Sequence, residues 1–397
     1  MAVPAHGRQY YRMGADDLSP CDGLSPAWPL RPEELAPWYA MVERRLGLAG
    51  ACDNLACLPN SEISHVLRPT VTEERLKRAI AQRWPGAHAV LGRYGRPFNL
   101  LTDAARTGRL LIREGAIARE IEVDGSGQVR GVICIDHRSR EEFCVRSQLV
   151  FLCASALEST RLLLLSRSPR HAGGLGAASG VLGRYLMDHV MLIAEGKGPR
   201  ASQRLPTEDQ RCLYLPRFDA RETATLSAGR GFGVQVYQWP TGDNRSHLSA
   251  TSFAEMLPRP ENRVTLHPSR RDAWGIPVLR IDCAFGAWER GRAQEQVVAL
   301  RELAEAVGVT LTRLDKTPAP PGSAMHECGT ARMGSDPSNS VLDPYNQCWE
   351  ARGLYVTDGA CFPSQGAQNP TLTIMALTAR ACEHALRMVS GQTEPRE

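Results

Sequence analysis

Apolar and polar positions along the chain fall into distinct textures. Over residues 32–48 apolar side chains recur at helical spacing, with Pro32 in the first turn and two acids just after it. Those are the marks of a helix start. Residues 99–107 predict a short helix stopped by Gly108. From Leu110 to Asp136 the spacing shortens and offers three short strands, with Asp124-Gly-Ser-Gly as a hairpin turn. Residues 148–154 form a continuous apolar run, expected to be a strand buried on both faces. A helix over 157–166 follows it, and a buried strand feeding a helix is the α/β pattern.

Between Ala194 and Pro320 the texture changes. Residues 232–239, 249–256, 263–267 and 278–284 alternate as half-buried strands do, and 287–307 read as a long amphipathic helix. This predicts an α+β domain on an antiparallel sheet, inserted into the α/β one. The chain then returns to α/β texture, with a short buried strand over 354–357 and a helix over 370–389. The expected organisation is 1–193 as the first part of the α/β domain with linking segments, 194–320 as the insert, 321–390 as the return, and 391–397 as a polar tail.

Composition narrows the function classes. A chain of 397 residues accommodates roughly two to three domains. The net charge of +4 is too small to mark a nucleic-acid partner. The 12 cysteines show no C-x-x-C spacing, which favours free thiols in a reducing compartment over disulfides or zinc. No apolar run is long enough to span a bilayer, and the first residues lack the apolar stretch of a signal peptide. A cytoplasmic location is therefore expected.

The chemistry concentrates in the last third. Asn369 is expected at an N-cap and Pro370 at the first helical position, both favoured there. From Thr371 onward such a helix presents unpaired N–H groups that stabilise a neighbouring anion. His326 lies in a loop of small residues, and a histidine takes up a hydroxyl proton near neutral pH. A metal site through His326 and Asp336 lacks ligand spacing, so no metal is expected.

Several long motifs run in order: His326-Glu-Cys-Gly-Thr-Ala-Arg-Met-Gly, Ser340-Val-Leu-Asp-Pro, Leu354-Tyr-Val-Thr-Asp-Gly-Ala-Cys-Phe-Pro and Asn369-Pro-Thr-Leu-Thr. Together they resemble the C-terminal part of the glucose–methanol–choline (GMC) flavoprotein oxidoreductases. Glu255-Met-Leu-Pro-Arg-Pro-Glu-Asn-Arg-Val-Thr-Leu resembles that family's substrate-domain strands. Ser179-Gly-Val-Leu-Gly-Arg-Tyr-Leu-Met-Asp-His and Ala154-Ser-Ala-Leu-Glu-Ser-Thr are similar to its central segments. The form with asparagine at 369 looks most like the pyranose-oxidase and gluconate-dehydrogenase branch.

The resemblance implies oxidation of an alcohol or sugar CH–OH group with FAD as cofactor. His326 matches the family's base, and Asn369 the second active-site residue that orients the substrate oxygen. Asp358 and Gly359 match the cofactor-contacting turn, Thr371 the flavin's pyrimidine edge, and Ala118 a backbone contact to the adenine, with Pro370 also among the expected cofactor-binding residues. The implied fold is a Rossmann-like FAD domain with the inserted α+β substrate domain.

The chain departs from the family in two places. The G-x-G-x-x-G turn that holds the FAD pyrophosphate does not occur, so the FAD domain is expected to be incomplete. The glycine run at 173–180 does not follow a buried strand and is not expected to replace it. Ser155 stands where the family has glycine, in a turn expected close to the FAD. Two further expectations follow: a separate partner chain supplying the nucleotide-binding segment, or a non-catalytic remnant acting as a binding subunit.

Overall fold

A computed structural model describes residues 9–19, 23, 25–96, 98–200, 211–218, 231–240 and 245–391. Beyond Gly391, the expected polar tail lies outside them.

The α/β part is built around two short strands that are far apart in sequence. Val150–Leu152 pairs in parallel with Leu354–Val356, and all three residues of the latter are buried. The helix Ser155–Leu165 leaves the first strand and buries Leu162 and Leu163. Two further helices, Pro32–Leu46 and Thr371–Ser390, pack along each other. Leu35, Tyr39, Val42 and Leu46 share one core with Leu372, Ala376 and Leu377. Each such leucine removed from water contributes about 2 kcal/mol. The Tyr39 hydroxyl also meets Thr373 Oγ1 at 2.7 Å, which fixes the helices' register near the start of the second.

Beside this core lies a meander of Ala116–Val123, Val129–Asp136 and Glu142–Arg146. Its first turn is held by Asp124, whose Oδ1 accepts from the Ser126 and Gln128 amides at 2.8 and 3.0 Å. That is the local bonding that makes Asp-Gly-Ser-Gly a turn. Only two of the three strands expected between Leu110 and Asp136 form there; the third is Glu142–Arg146. Leu111 and Ile112 are 88% and 62% exposed. Strand spacing needs a neighbouring strand, and no described strand runs beside 110–112.

The second layer is a six-stranded antiparallel sheet. Its order is Thr310–Leu314, Val190–Arg200, Arg245–Ala254, Phe232–Pro240, Cys212–Phe218 and Val90–Leu91. Leu192, Leu213 and Val234 share a core with Leu300 and Leu303 of the helix Ala287–Ala306. Leu76 and Ile80 of the helix Val71–Arg83 join the same core. That helix starts on a reciprocal cap: Thr70 Oγ1 accepts from the Glu73 amide, and Glu73 Oε2 accepts from the Thr70 amide.

The strands Arg263–Arg271 and Pro277–Asp282 were expected in this sheet. They form a separate hairpin packed on the helix Ser155–Leu165 instead. Arg161 of that helix accounts for the difference. It donates to Asp272 Oδ2 at 2.6 Å and to the Pro277 carbonyl at 2.8 Å, tying the hairpin to the α/β side. The structure is thus mixed α/β with a large antiparallel sheet, and the candidate site lies where the two layers meet.

Candidate active site

Two loops and one sheet strand converge on the site. The first loop is drawn in by the buried carboxylate of Asp188. Its Oδ2 accepts from the Gly322 and Ala324 amides at 2.7 and 3.1 Å, and its Oδ1 from the His326 amide at 3.2 Å. The second loop is held by buried Glu255, whose Oε1 accepts from the Gln365 and Gly366 amides at 3.3 and 3.0 Å. Gln365 Nε2 then donates to the His326 carbonyl at 2.6 Å and ties the loops together. A buried carboxylate that accepts several backbone N–H groups is satisfied and rigid.

This framework brings His326 and Asn369 together. His326 Nε2 lies 3.3 Å from Asn369 Nδ2. His326 Nδ1 lies 2.9 Å from His189 Nδ1, and His189 Nε2 lies 3.0 Å from the Gly366 carbonyl. Asn369 Oδ1 accepts from Gln235 Nε2 of the sheet at 2.6 Å. Gln235 Oε1 in turn accepts from the Tyr237 hydroxyl at 3.0 Å, and Gln9 Nε2 donates to that hydroxyl at 2.7 Å. The Phe253 ring stands 5.6 Å from the His189 ring and 5.5 Å from the His326 ring.

Burial sets the charge of the two imidazoles. His326 is pushed down to about 3, chiefly by burial and then by His189, with Asp188 opposing. His189 is pushed down to about 4 by burial, against the pull of its bond to the Gly366 carbonyl. Both rings are therefore neutral at neutral pH, and a neutral imidazole keeps one lone pair with which to accept a proton.

The structure changes the expected role of Asn369 at the helix. Asn369 does not cap Thr371–Ser390; no side chain does. Pro370 has helical dihedrals, and its carbonyl accepts from the Ile374 amide at 3.0 Å. The amide of Asn369 is already engaged by His326 and Gln235, so the helix start is left without a side-chain acceptor. Thr371 is the first residue of that helix and is half-buried.

Asp358 and Gly359 form a turn directly behind the His326 loop. Asp358 is buried and accepts from the Ser159 hydroxyl and from the Ala360 amide. Burial raises its carboxyl above the usual range. A Cβ on Gly359 would lie 2.5 Å from the Glu327 carbonyl, so this close approach requires glycine. The Gly329, Ala331 and Met333 amides donate to the carbonyls of 359, 360 and 361, which locks the turn to the loop. Ser155 sits at the start of its helix with φ +74°, a conformation that favours glycine. Ala118 lies exposed in the strand Ala116–Val123 of the three-stranded meander.

The glycine run at 173–180 is engaged elsewhere. A Cβ on Gly174 or Gly176 would strike the Leu163 carbonyl or Val341, each at 2.5 Å. The Gly176 and Ala178 amides already donate to the Glu350 carboxylate.

His189, Asp188, Gln235 and Glu255 were given no role from the sequence. Asp188 and His189 end one of the motifs quoted above and Glu255 opens another, and those positions were the available signal. No described helix is long and apolar enough to cross a membrane.

Comparison with known proteins places this geometry. Residues 258–378 match the family model described as GMC oxidoreductase. Over that span the chain is similar to the GMC oxidoreductases. The matched span carries His326, Asp358, Gly359, Asn369 and Thr371. A 2-methyl-1,2-propanediol dehydrogenase of Mycolicibacterium austroafricanum is 27% identical, over 93% of this chain and 76% of that protein. A 6'''-hydroxyparomomycin C oxidase of Streptomyces lividus is 26% identical, over 94% and 73%. In fold, the chain is similar to a solved formate oxidase of Aspergillus oryzae RIB40 described for its FAD modification. The TM-score is 0.66 at 13% identity, over 97% of this chain and 83% of that one. The first two of these relatives are named as oxidoreductases, one a dehydrogenase and one an oxidase.

Proposed function

We propose that this chain is a GMC-type oxidoreductase that oxidises an alcohol or sugar CH–OH group with FAD as cofactor, His326 acting as base and Asn369 orienting the oxygen. The observation that carries the reading is the pair itself. A neutral imidazole nitrogen and an amide N–H group stand 3.3 Å apart at an uncapped helix start. A hydroxyl placed between them donates to His326 Nε2 and accepts from Asn369 Nδ2. His326 takes the hydroxyl proton while the carbon–hydrogen bond breaks, and Asn369 steadies the oxygen as it becomes a carbonyl.

The residues present fit the flavin end of FAD. The start of Thr371–Ser390 has no side-chain cap, so its N–H groups and the positive end of its dipole remain for an anion. Asp358, Gly359, Pro370 and Thr371 would hold that end, with Ala118 toward the adenine. When bound, FAD supplies the hydride acceptor, flavin N5. The names of the relatives point to diols and amino sugars as the first substrates to try.

The test is spectroscopic. The purified chain is incubated with FAD, and free cofactor is removed. Visible flavin bands that remain and then bleach anaerobically with 2-methyl-1,2-propanediol or a pyranose support the reading. His326→Ala should keep the bands and slow bleaching by about 100-fold or more. Equal bleaching rates in the two proteins would remove His326 as the base.

A further inference from the structure

The hydrogen bonds around His326 have a direction, and it starts from a group that can only accept. The Gly366 carbonyl lies 3.0 Å from His189 Nε2, so that nitrogen must carry the hydrogen. His189 is fully buried and neutral, so its Nδ1 is then a bare acceptor. His326 Nδ1 lies 2.9 Å from it and must donate. That leaves His326 Nε2 without a hydrogen, its lone pair turned toward the Asn369 amide at 3.3 Å. Asn369 can donate there because its own oxygen is taken by Gln235 Nε2 at 2.6 Å. One carbonyl therefore fixes the donor and acceptor roles of three side chains in succession.

We propose that His189 is a positioning residue that fixes the tautomer of His326 and holds its Nε2 lone pair toward the substrate side. The role of this lone pair as base rests on the function proposed above; the tautomer itself does not. His189 touches no reacting atom. It acts through its acceptor nitrogen, which also remains available to the Nδ1–H group once His326 becomes positively charged. The proton taken at Nε2 thus stays on an imidazolium whose other N–H group already has a partner. The Gly366 carbonyl cannot take a proton onward, so the relay ends at the two rings. Two loops are involved, since His326 is on one and Gly366 on the other; His189 makes the orientation of the base depend on both.

The experiment is nitrogen NMR on the chain labelled with ¹⁵N-histidine, with no flavin required. His326 is assigned by the signal lost in His326→Gln. The wild-type protein should show a protonated Nδ1 and a bare Nε2 on His326 near neutral pH. His189→Phe keeps a ring of similar size but removes the acceptor, and should shift His326 to a mixture or to the Nε2–H form. His189→Gln restores an acceptor oxygen and should recover the Nδ1–H form at least in part. Thermal unfolding of both variants confirms that each is folded. A wild-type His326 found as the Nε2–H tautomer would overturn the proposal, as would a tautomer unchanged in folded His189→Phe. In the flavin-loaded protein, His189→Phe should lower kcat by about 10- to 100-fold, the effect typical of an outer partner of a functional histidine. His189→Gln should recover part of that. If His326→Ala turned out active, the base assignment would fail while the NMR result stood.

Discussion

Holding two imidazoles neutral beneath the sheet should make the fold sensitive to acid, and the size of the effect follows from the site. His326 ionises near 6.5 in the unfolded chain and near about 3 in the folded one, through burial and His189. The groups facing it are His189, neutral at the same pH, and Asp188, whose carboxylate opposes the shift. The folded pKa is the lower one, so the unfolded state binds the proton first as pH falls. The stability tied to neutral His326 is complete above about pH 6.5 and is lost progressively below it. At about pH 5 the unfolded state gains roughly 30-fold from protonation and the folded state almost nothing, a difference of about 2 kcal/mol. The assay is urea unfolding followed by tryptophan fluorescence, for the wild-type chain and His326→Gln, at about pH 7.5 and about pH 5. The variant starts less stable, because His189 and Asn369 lose a partner. On acidification it should lose about 2 kcal/mol less than the wild type, and histidines remote from the His189–His326 pair cancel in the comparison. A gap between the two proteins that stays constant within about 0.5 kcal/mol would refute the account of His326 as a half-buried, neutral imidazole.

Three substitutions test the framework around it. Gly359→Ala places a Cβ 2.5 Å from the Glu327 carbonyl and should cost about 1–3 kcal/mol by thermal unfolding, with weaker retention of FAD. Ser155→Gly relieves a left-handed residue at φ +74° and should stabilise the chain by about 1 kcal/mol; an unchanged or lower melting temperature would contradict strain at that turn. Asp188→Ala leaves the amides of Gly322, Ala324 and His326 without their acceptor and should cost about 3 kcal/mol or more, read by denaturant titration.

What the sequence made legible, and what it did not, divides along physical lines. Helix starts and turns are written locally. Pro32 and its two acids, the glycine at 108, and the Asp124 turn each act within four residues, so they can be read without a fold. The strands 150–152 and 354–356 were each legible as an apolar run, since strands buried on both faces leave no alternation; their parallel pairing is supplied by the structure. The hairpin over 263–282 was placed wrongly because alternation reports a half-buried face and not which body buries it; Arg161 on a distant helix made that choice. The exposed Leu110–Leu111–Ile112 run shows the same limit from the other side, since spacing promises a strand only if a neighbour is present.

The site divides in the same way. His326 and Asn369 were visible through motif resemblance, and the structure joins them at 3.3 Å across 43 positions. The residues that orient them carry no local pattern. Asp188, His189, Gln235 and Glu255 are buried polar groups whose partners lie in other segments, so apart from the motif that ends in Asp188 and His189 nothing local points to their partners. Even the capping rule misled at Asn369, for a physical reason: its amide has two competing uses. An amide already held by His326 and Gln235 cannot also fold back on its helix. The bare helix end that results is the feature an electron-rich flavin edge needs. Under the proposed function, capping and chemistry compete for one side chain, and a local preference is overridden where that chemistry would require an open donor end.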